Sequence, residues 1–257
     1  MIKKTVKPIP MLIAALVLFT SFGCYNPFMD QENQHPGGIT DFNEERHYTF
    51  EPETILTSLA QNKGEIFQPV PGFAEENVFP PGSFAWSQQD YLKIASALNK
   101  NISSSGAVLE EWELYSMIFS RDCADNPIGF DDFRMTYFKT AEEQYTVREM
   151  KISPLSKSAD WGGNTYFRRP FLFGWKGIDL KKLKVTADDA LQIAEVNGGK
   201  AARLAVNNKC YILEALSFNL DKNGWNILYS DNNFNHLFQM SIDPYSDKYY
   251  ELLTPSK

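Results

Sequence analysis

The sequence predicts an α+β protein: two repeated units, each a helix packed on an antiparallel sheet, behind a signal peptide and a disordered tether. Three observations predict it. A capped helical stretch opening at Thr186 gives way near Cys210 to β-rich runs that end at Asp243-Pro244. An earlier stretch, Ser87 to Pro154, repeats that order. The chain begins with a basic and then apolar leader that stops at Cys24. The 257 residues divide accordingly into a leader (1–23), a tether (24–45), a Pro-rich lead-in (46–86), a first unit (87–154), an aromatic linker (155–185) and a second unit (186–257).

The leader has Lys3, Lys4 and Lys7 in front of an apolar run from Met11 to Phe22. That run is too short for a bilayer, which needs about 20 apolar residues, and has the length of a signal-peptide core. Ser21-Phe22-Gly23 followed by Cys24 resembles a bacterial lipobox, with Ser21 where Leu is usual. Cys24 is therefore the candidate lipidation site; the other reading is a secreted chain cut at the same bond. Removing the leader takes three of the 25 basic residues and no acid. That leaves 22 basic against 32 acidic residues, a net charge of −10. Such a body repels phosphate backbones and disfavours nucleic acid as a partner. Attachment to a membrane is then expected through lipid.

Asp30 to Gly38 is polar and broken by Pro and Gly, so the tether is expected to be disordered. Pro52 to Ala60 predicts a short helix with Ile55, Leu56 and Leu59 on one face. Phe67 to Trp86, with four prolines, predicts an extended loop.

In the second unit Thr186 is a good N-cap and Asp189 stands at the capping-box position. Ala190, Leu191, Ile193 and Ala194 form an apolar face, and Asn197-Gly198-Gly199 is expected to end the helix. Strands follow over 210–213, 215–218, 225–229 and 237–242, with Asn223-Gly224 as a hairpin turn. In the first unit, Ser87 to Ala95 lies in register with Thr186 to Ala194, and Lys151-Ile152-Ser153-Pro154 with Ser241-Ile242-Asp243-Pro244. Strand-like runs fall at 112–119, 133–138 and 145–152 between them.

Thr186, Ala190, Ile193 and Ala194, then strands, then Ile242, Asp243 and Ser246 make a pattern that resembles the PepSY domain. The family usually has Gly where Asp247 stands, a place where Asp is tolerated because it can visit left-handed backbone. The resemblance implies a non-catalytic envelope or extracellular module, associated with protease propeptides and with inhibitory or regulatory roles.

No catalytic residue, metal site or cofactor is expected. His35, His47 and His236 show no zinc spacing. No Gly-x-Ser-x-Gly elbow, P-loop or dinucleotide fingerprint is present. The loop 122–132 collects four carboxylates without EF-hand spacing; an acidic surface loop is the commoner explanation, and calcium the other. Trp161, Tyr166, Arg168, Arg169 and Trp175 combine flat aromatic faces with cationic forks. They form either a packed seam between the units or a ligand-binding surface. Three cysteines leave one odd. With Cys24 lipidated, Cys123 and Cys210 remain to form a disulfide between the units, or stay as separate thiols.

The function expected is that of a membrane-anchored envelope lipoprotein, a non-catalytic binding or regulatory module for an exported protein or protease. The alternative is a surface lipoprotein binding a glycan or solute.

Overall fold

The structure is a computed structural model. It describes residues 45–73, 77–104, 112–125, 127–141, 144–166, 176–218, 223–246 and 248–253. In chain order these form β1 (Arg46–Thr49), α1 (Pro52–Ala60), β2 (Gln68–Val70) and α2 (Gln88–Ser104). A run of four strands follows: β3 (Glu113–Asp122), β4 (Asp132–Ala141), β5 (Gln144–Ser153) and β6 (Ser158–Tyr166). After a 3-10 turn at Leu180–Lys182 come α3 (Ala187–Ala194) and α4 (Lys200–Ala205). Then come β7 (Cys210–Phe218), β8 (Asn223–Asp231), β9 (His236–Ile242) and β10 (Tyr249–Leu253). All ten strands lie in one antiparallel sheet, ordered β10-β9-β8-β7-β3-β4-β5-β6-β1-β2. The protein is thus α+β.

Strand periodicity decides which face is buried. Met117 and Phe119 of β3, Phe133 and Met135 of β4, and Met150 and Ile152 of β5 point into the core. So do Ile212 and Leu216 of β7 and Trp225, Ile227 and Tyr229 of β8. Against them α2 lays Tyr91, Ile94, Ala95, Leu98 and Ile102, spaced for one helical face. The Tyr91 ring meets Phe133 at 5.2 Å and Phe119 at 6.1 Å between centroids. α3 contributes Ala187, Ala190, Leu191 and Ala194. The intervening strand residues, among them Ile118, Arg134, Thr136, Leu213 and Ala215, are half-buried on the other face. Arg134 pairs there with Glu149 across the strands at 2.6 Å.

The helix starts follow from their caps. Thr186 and Asp189 form the capping box expected of them: Asp189 N–H donates to the Thr186 hydroxyl at 3.2 Å and Thr186 N–H to the Asp189 carboxylate at 3.0 Å. Ser87 and Asp90 do the same at α2, at 3.3 and 3.2 Å. At the end of β9, the Asp243 carboxylate accepts from Tyr245 N–H at 2.9 Å and from the Ser246 hydroxyl at 2.8 Å. This local turn gives the spacing Asp243-x-x-Ser246 a physical reason.

The structure departs from the sequence reading in three places. Asn197-Gly198-Gly199 does not end the helical region. Gly198 takes φ +126° and kinks it, and the chain resumes as α4. Both glycines lie close to the sheet: a Cβ on Gly199 would stand 2.7 Å from the Tyr229 hydroxyl, and one on Gly198 3.0 Å from the Phe238 ring. Residues 155–185 are not all linker, because Ser158–Tyr166 is β6, turned back onto β5 by Pro154–Lys157 with Lys157 at φ +54°. The lead-in is also part of the sheet, since β1 pairs with β6 and β2 with β1. Its helix, Pro52–Ala60, has the bounds the sequence predicts. Among the described residues no helix is long and apolar enough to cross a membrane. Cys24 and the tether lie outside the described residues.

Leu191 is 2% exposed and Trp225 fully buried, its indole N–H donating to Val185 O at 2.9 Å. Leu191→Ala and Trp225→Ala are each expected to lower stability by about 2–5 kcal/mol, as truncations that leave a cavity do. Denaturant titration measures this; a change well under 1 kcal/mol in either variant would show that its site is not core.

Candidate functional site

The two helix-and-strand runs meet where β3 pairs with β7, from Ser116↔Ser217 to Asp122↔Tyr211. One step further, in the same register, Cys123 and Cys210 form a disulfide with Cα atoms 5.2 Å apart. Cys123 N–H also donates to Cys210 O at 2.9 Å. The bond is made by the two cysteines that the count leaves over once Cys24 is set aside.

Beside the cystine lies a buried ionic network. Arg203 of α4, 1% exposed, reaches Glu195 through Nε at 2.9 Å and Nη2 at 2.8 Å. Its remaining donors go to Ala124 O at 2.8 Å, Asp125 O at 3.2 Å and the Asn208 side chain at 2.8 Å. The Tyr229 phenol donates to Glu195 at 2.8 Å. Burial, then the Glu195 charge, pushes that phenol's ionisation far up, so it stays a donor. Arg203 therefore clamps the loop after Cys123 onto the kinked α3–α4 pair. The acidic stretch 122–132 is tied into the fold in other ways too. Asp125 accepts from Asn208, and Asp131 accepts from Gly82 N–H at 2.7 Å and Asp122 N–H at 3.1 Å. Among the described residues no group of three His, Cys, Asp or Glu side chains is arranged to hold a metal.

On the core side of the same seam the N-termini of α2 and α3 meet. Gln88 N–H donates to the Asp188 carboxylate at 2.9 Å, and Ala187 N–H to the Gln88 side chain at 2.7 Å. Beneath them sits Glu214 of β7, paired in register with Phe119 and fully buried. Neither carboxyl oxygen has a hydrogen-bond partner among the described residues. Burial holds its ionisation well above the ordinary carboxyl range. Asp188 pushes the same way, and Arg121 opposes both with a smaller effect. Arg121 is itself engaged, donating to Gly129 O at 2.8 Å and Asp122 O at 3.1 Å. Burial thus favours the protonated form of Glu214 in the core. None of Gln88, Asp188, Glu195, Arg203 and Glu214 was singled out by the sequence reading as part of a site. Strand period held a signal for one of them, since Glu214 stands midway between the inward residues Ile212 and Leu216.

The aromatic stretch divides. Trp161 is 2% exposed, with its ring centroid 6.1 Å from that of Tyr137, and its indole N–H has no partner among the described residues. It is a core residue of β6 rather than an open stacking face. Tyr166 ends β6 opposite Tyr145. Arg168, Arg169 and Trp175 lie outside the described residues.

A separate cavity of 460 Å³ opens at the other end of the chain's fold order, between α1 and the segment returning to β2. Thr54, Ile55 and Ser58 of α1 form one wall, Lys63 and Glu65 the facing segment, and Phe50 the floor.

Two outcomes are expected at the seam. An unreduced tryptic digest should yield the peptides of Cys123 and Cys210 joined. Removing the bond, which spans 87 residues, should cost up to about 4–5 kcal/mol in the chain-entropy limit; freely alkylated thiols in oxidatively matured protein would overturn the pairing. The second outcome concerns pH. The unfolded Glu214 carboxyl ionises near about pH 4.3, whereas the folded one keeps its proton to higher pH. Its contribution therefore makes stability fall as pH rises from that value through the folded pKa. Glu214→Gln removes this loss. The variant should be more stable than the parent at neutral pH, with a flatter stability profile above about pH 5. An unchanged slope in denaturant titrations would show that Glu214 is ionised in the folded chain.

No family model matches the chain, and no curated protein does. Two solved structures show a weak likeness. The dehydratase domain from the CurK module of curacin polyketide synthase is 12% identical over 59% of this chain and 78% of its own, at a TM-score of 0.14. The dehydratase domain from the CurF module is 13% identical over 65% and 84%, at a TM-score of 0.12. At such scores neither bears on what this chain does.

Proposed function

We propose that this chain is an exported lipoprotein, cleaved before Cys24 and lipidated there. Its body would serve the envelope as a non-catalytic binding or regulatory module for an exported protein or protease. The observation that carries this reading is the Cys123–Cys210 bond. It consumes two of the three cysteines and leaves Cys24, which directly follows the apolar leader in sequence, as the remaining one. Cystines of this kind also suit the oxidising compartments that exported proteins reach. The body is read as a diverged tandem of PepSY-like units. In support, the order of helix then four strands occurs twice, and a Ser87–Asp90 cap answers a Thr186–Asp189 cap.

A second reading is a surface lipoprotein that takes up a small solute. The cavity beside α1 favours it. The aromatic stretch supports it less, because Trp161 is buried.

Labelling with radioactive palmitate tests the anchor. Label should appear on the parent and vanish in Cys24→Ala, which should leave the membrane fraction. One acyl chain holds only marginally, so diacylation is the expected form. An unlabelled protein found soluble outside the cell would overturn this reading. Capture of one reproducible protein from envelope extract by the parent, and not by the unfolded chain, is the expected sign of the regulatory role.

A further inference from the structure

The cavity between α1 and the segment entering β2 has the size of a small-ligand site, which typically holds about 300–1,000 Å³. Its wall on α1 follows from helix geometry. Glu51, Thr54, Ile55 and Ser58 recur at spacings of three and four, so they share one face. Ile55 is buried and anchors that face, while Thr54 is exposed and Ser58 half-buried, and all three line the cavity. The opposite wall is held by its start: Asn62 takes φ +48°, and Lys63 N–H donates to Ser58 O at 3.0 Å.

The charges around this space decide what fits it. Glu51 is already neutralised, since Lys157 reaches it at 2.8 Å from the β5–β6 turn. Lys63 and Glu65 have no ion-pair partner among the described residues, and both are exposed. Lys63 and Glu65 therefore bring one uncompensated cation and one uncompensated anion to the same wall, across from Thr54 and Ser58. A simple anion would meet Glu65, and a simple cation would meet Lys63. A neutral sugar would want an open aromatic face, and the one aromatic ring here, Phe50, is 3% exposed. A molecule carrying both charges satisfies both groups.

We propose that this cavity binds a small zwitterion of the amino-acid or dipeptide class. Its carboxylate would lie on Lys63 and its ammonium on Glu65, with Thr54 and Ser58 completing the hydrogen bonds. The inference rests on the solute-binding reading and is independent of the lipid anchor.

The test is NMR titration of the purified protein with L-alanyl-L-alanine. Saturable shifts are expected at the amides of Thr54, Ser58 and Gly64. Lys63→Gln and Glu65→Gln are surface changes that leave the core intact, and each should weaken binding by about tenfold or more. Acetylating the dipeptide's amine or amidating its carboxylate should do the same. If the blocked forms bind as well as the free dipeptide, the zwitterion assignment is overturned. If maltose saturates the same amides and the dipeptide does not, solute binding stands and the proposed ligand class falls. If neither probe shifts them, the site itself is refuted.

Discussion

The pairing of β3 with β7 is the contact on which the rest of this molecule depends. It is the ladder that joins the β3–β6 run to the β7–β10 run, and every layer of structure around it is arranged to suit it. The register sets Cys123 opposite Cys210 and brings the starts of α2 and α3 together on the core side. Two helix N-termini carry partial positive charge and repel one another. The acids Asp90, Asp188 and Asp189 offset that repulsion, and the Gln88 amide knits the two ends with hydrogen bonds. Below them, burial first and the Asp188 carboxylate second push the ionisation of Glu214 upward.

The seam shows two ways of placing an acid in a core. Glu195 pairs with Arg203, and both Arg203 and Tyr229 donate to it. Arg203 in turn has its donors met by backbone and Asn208 oxygens, so a charged pair sits out of water with its hydrogen bonds made. Glu214 has no hydrogen-bond partner among the described residues, and its burial favours the protonated form. The first arrangement locks the kinked helix pair to the loop after Cys123. The second places a carboxyl whose charged form is disfavoured by burial in the middle of the seam.

What was legible in the sequence was what is local. The box of Thr186 and Asp189, the Pro52 helix start and the alternation through Ile212, Leu216, Trp225 and Ile227 depend on near neighbours, and they fold as their spacing says. β6 was hidden because Gly162-Gly163 looks like a loop, and its strand character comes from pairing with β5. The resumption of the helix as α4 had a signal in Lys200-Ala-Ala-Arg-Leu-Ala, a run of good helix formers, masked by the two glycines before it. The Cys123–Cys210 pair was reachable by counting. Its neighbours Arg203 and Glu195 were not, because their meeting depends on a kink that only the packed sheet requires. The cavity beside α1 had no motif to announce it, being made of ordinary residues brought together by a turn.

The cystine also has a topological meaning. It closes the backbone between positions 123 and 210 into a covalent ring that contains β4, β5, β6, α3 and α4. A protease that cuts once anywhere inside that ring opens it without dividing the molecule. The two pieces stay one covalent body, held in addition by the ladder of β3 on β7. Outside the ring there is no such insurance: a single cut between β8 and β9 leaves the last two strands attached by hydrogen bonds and packing alone. The bond therefore distributes tolerance of cleavage unevenly, protecting the middle of the chain and leaving the segments on either side of the ring dependent on packing and hydrogen bonds alone.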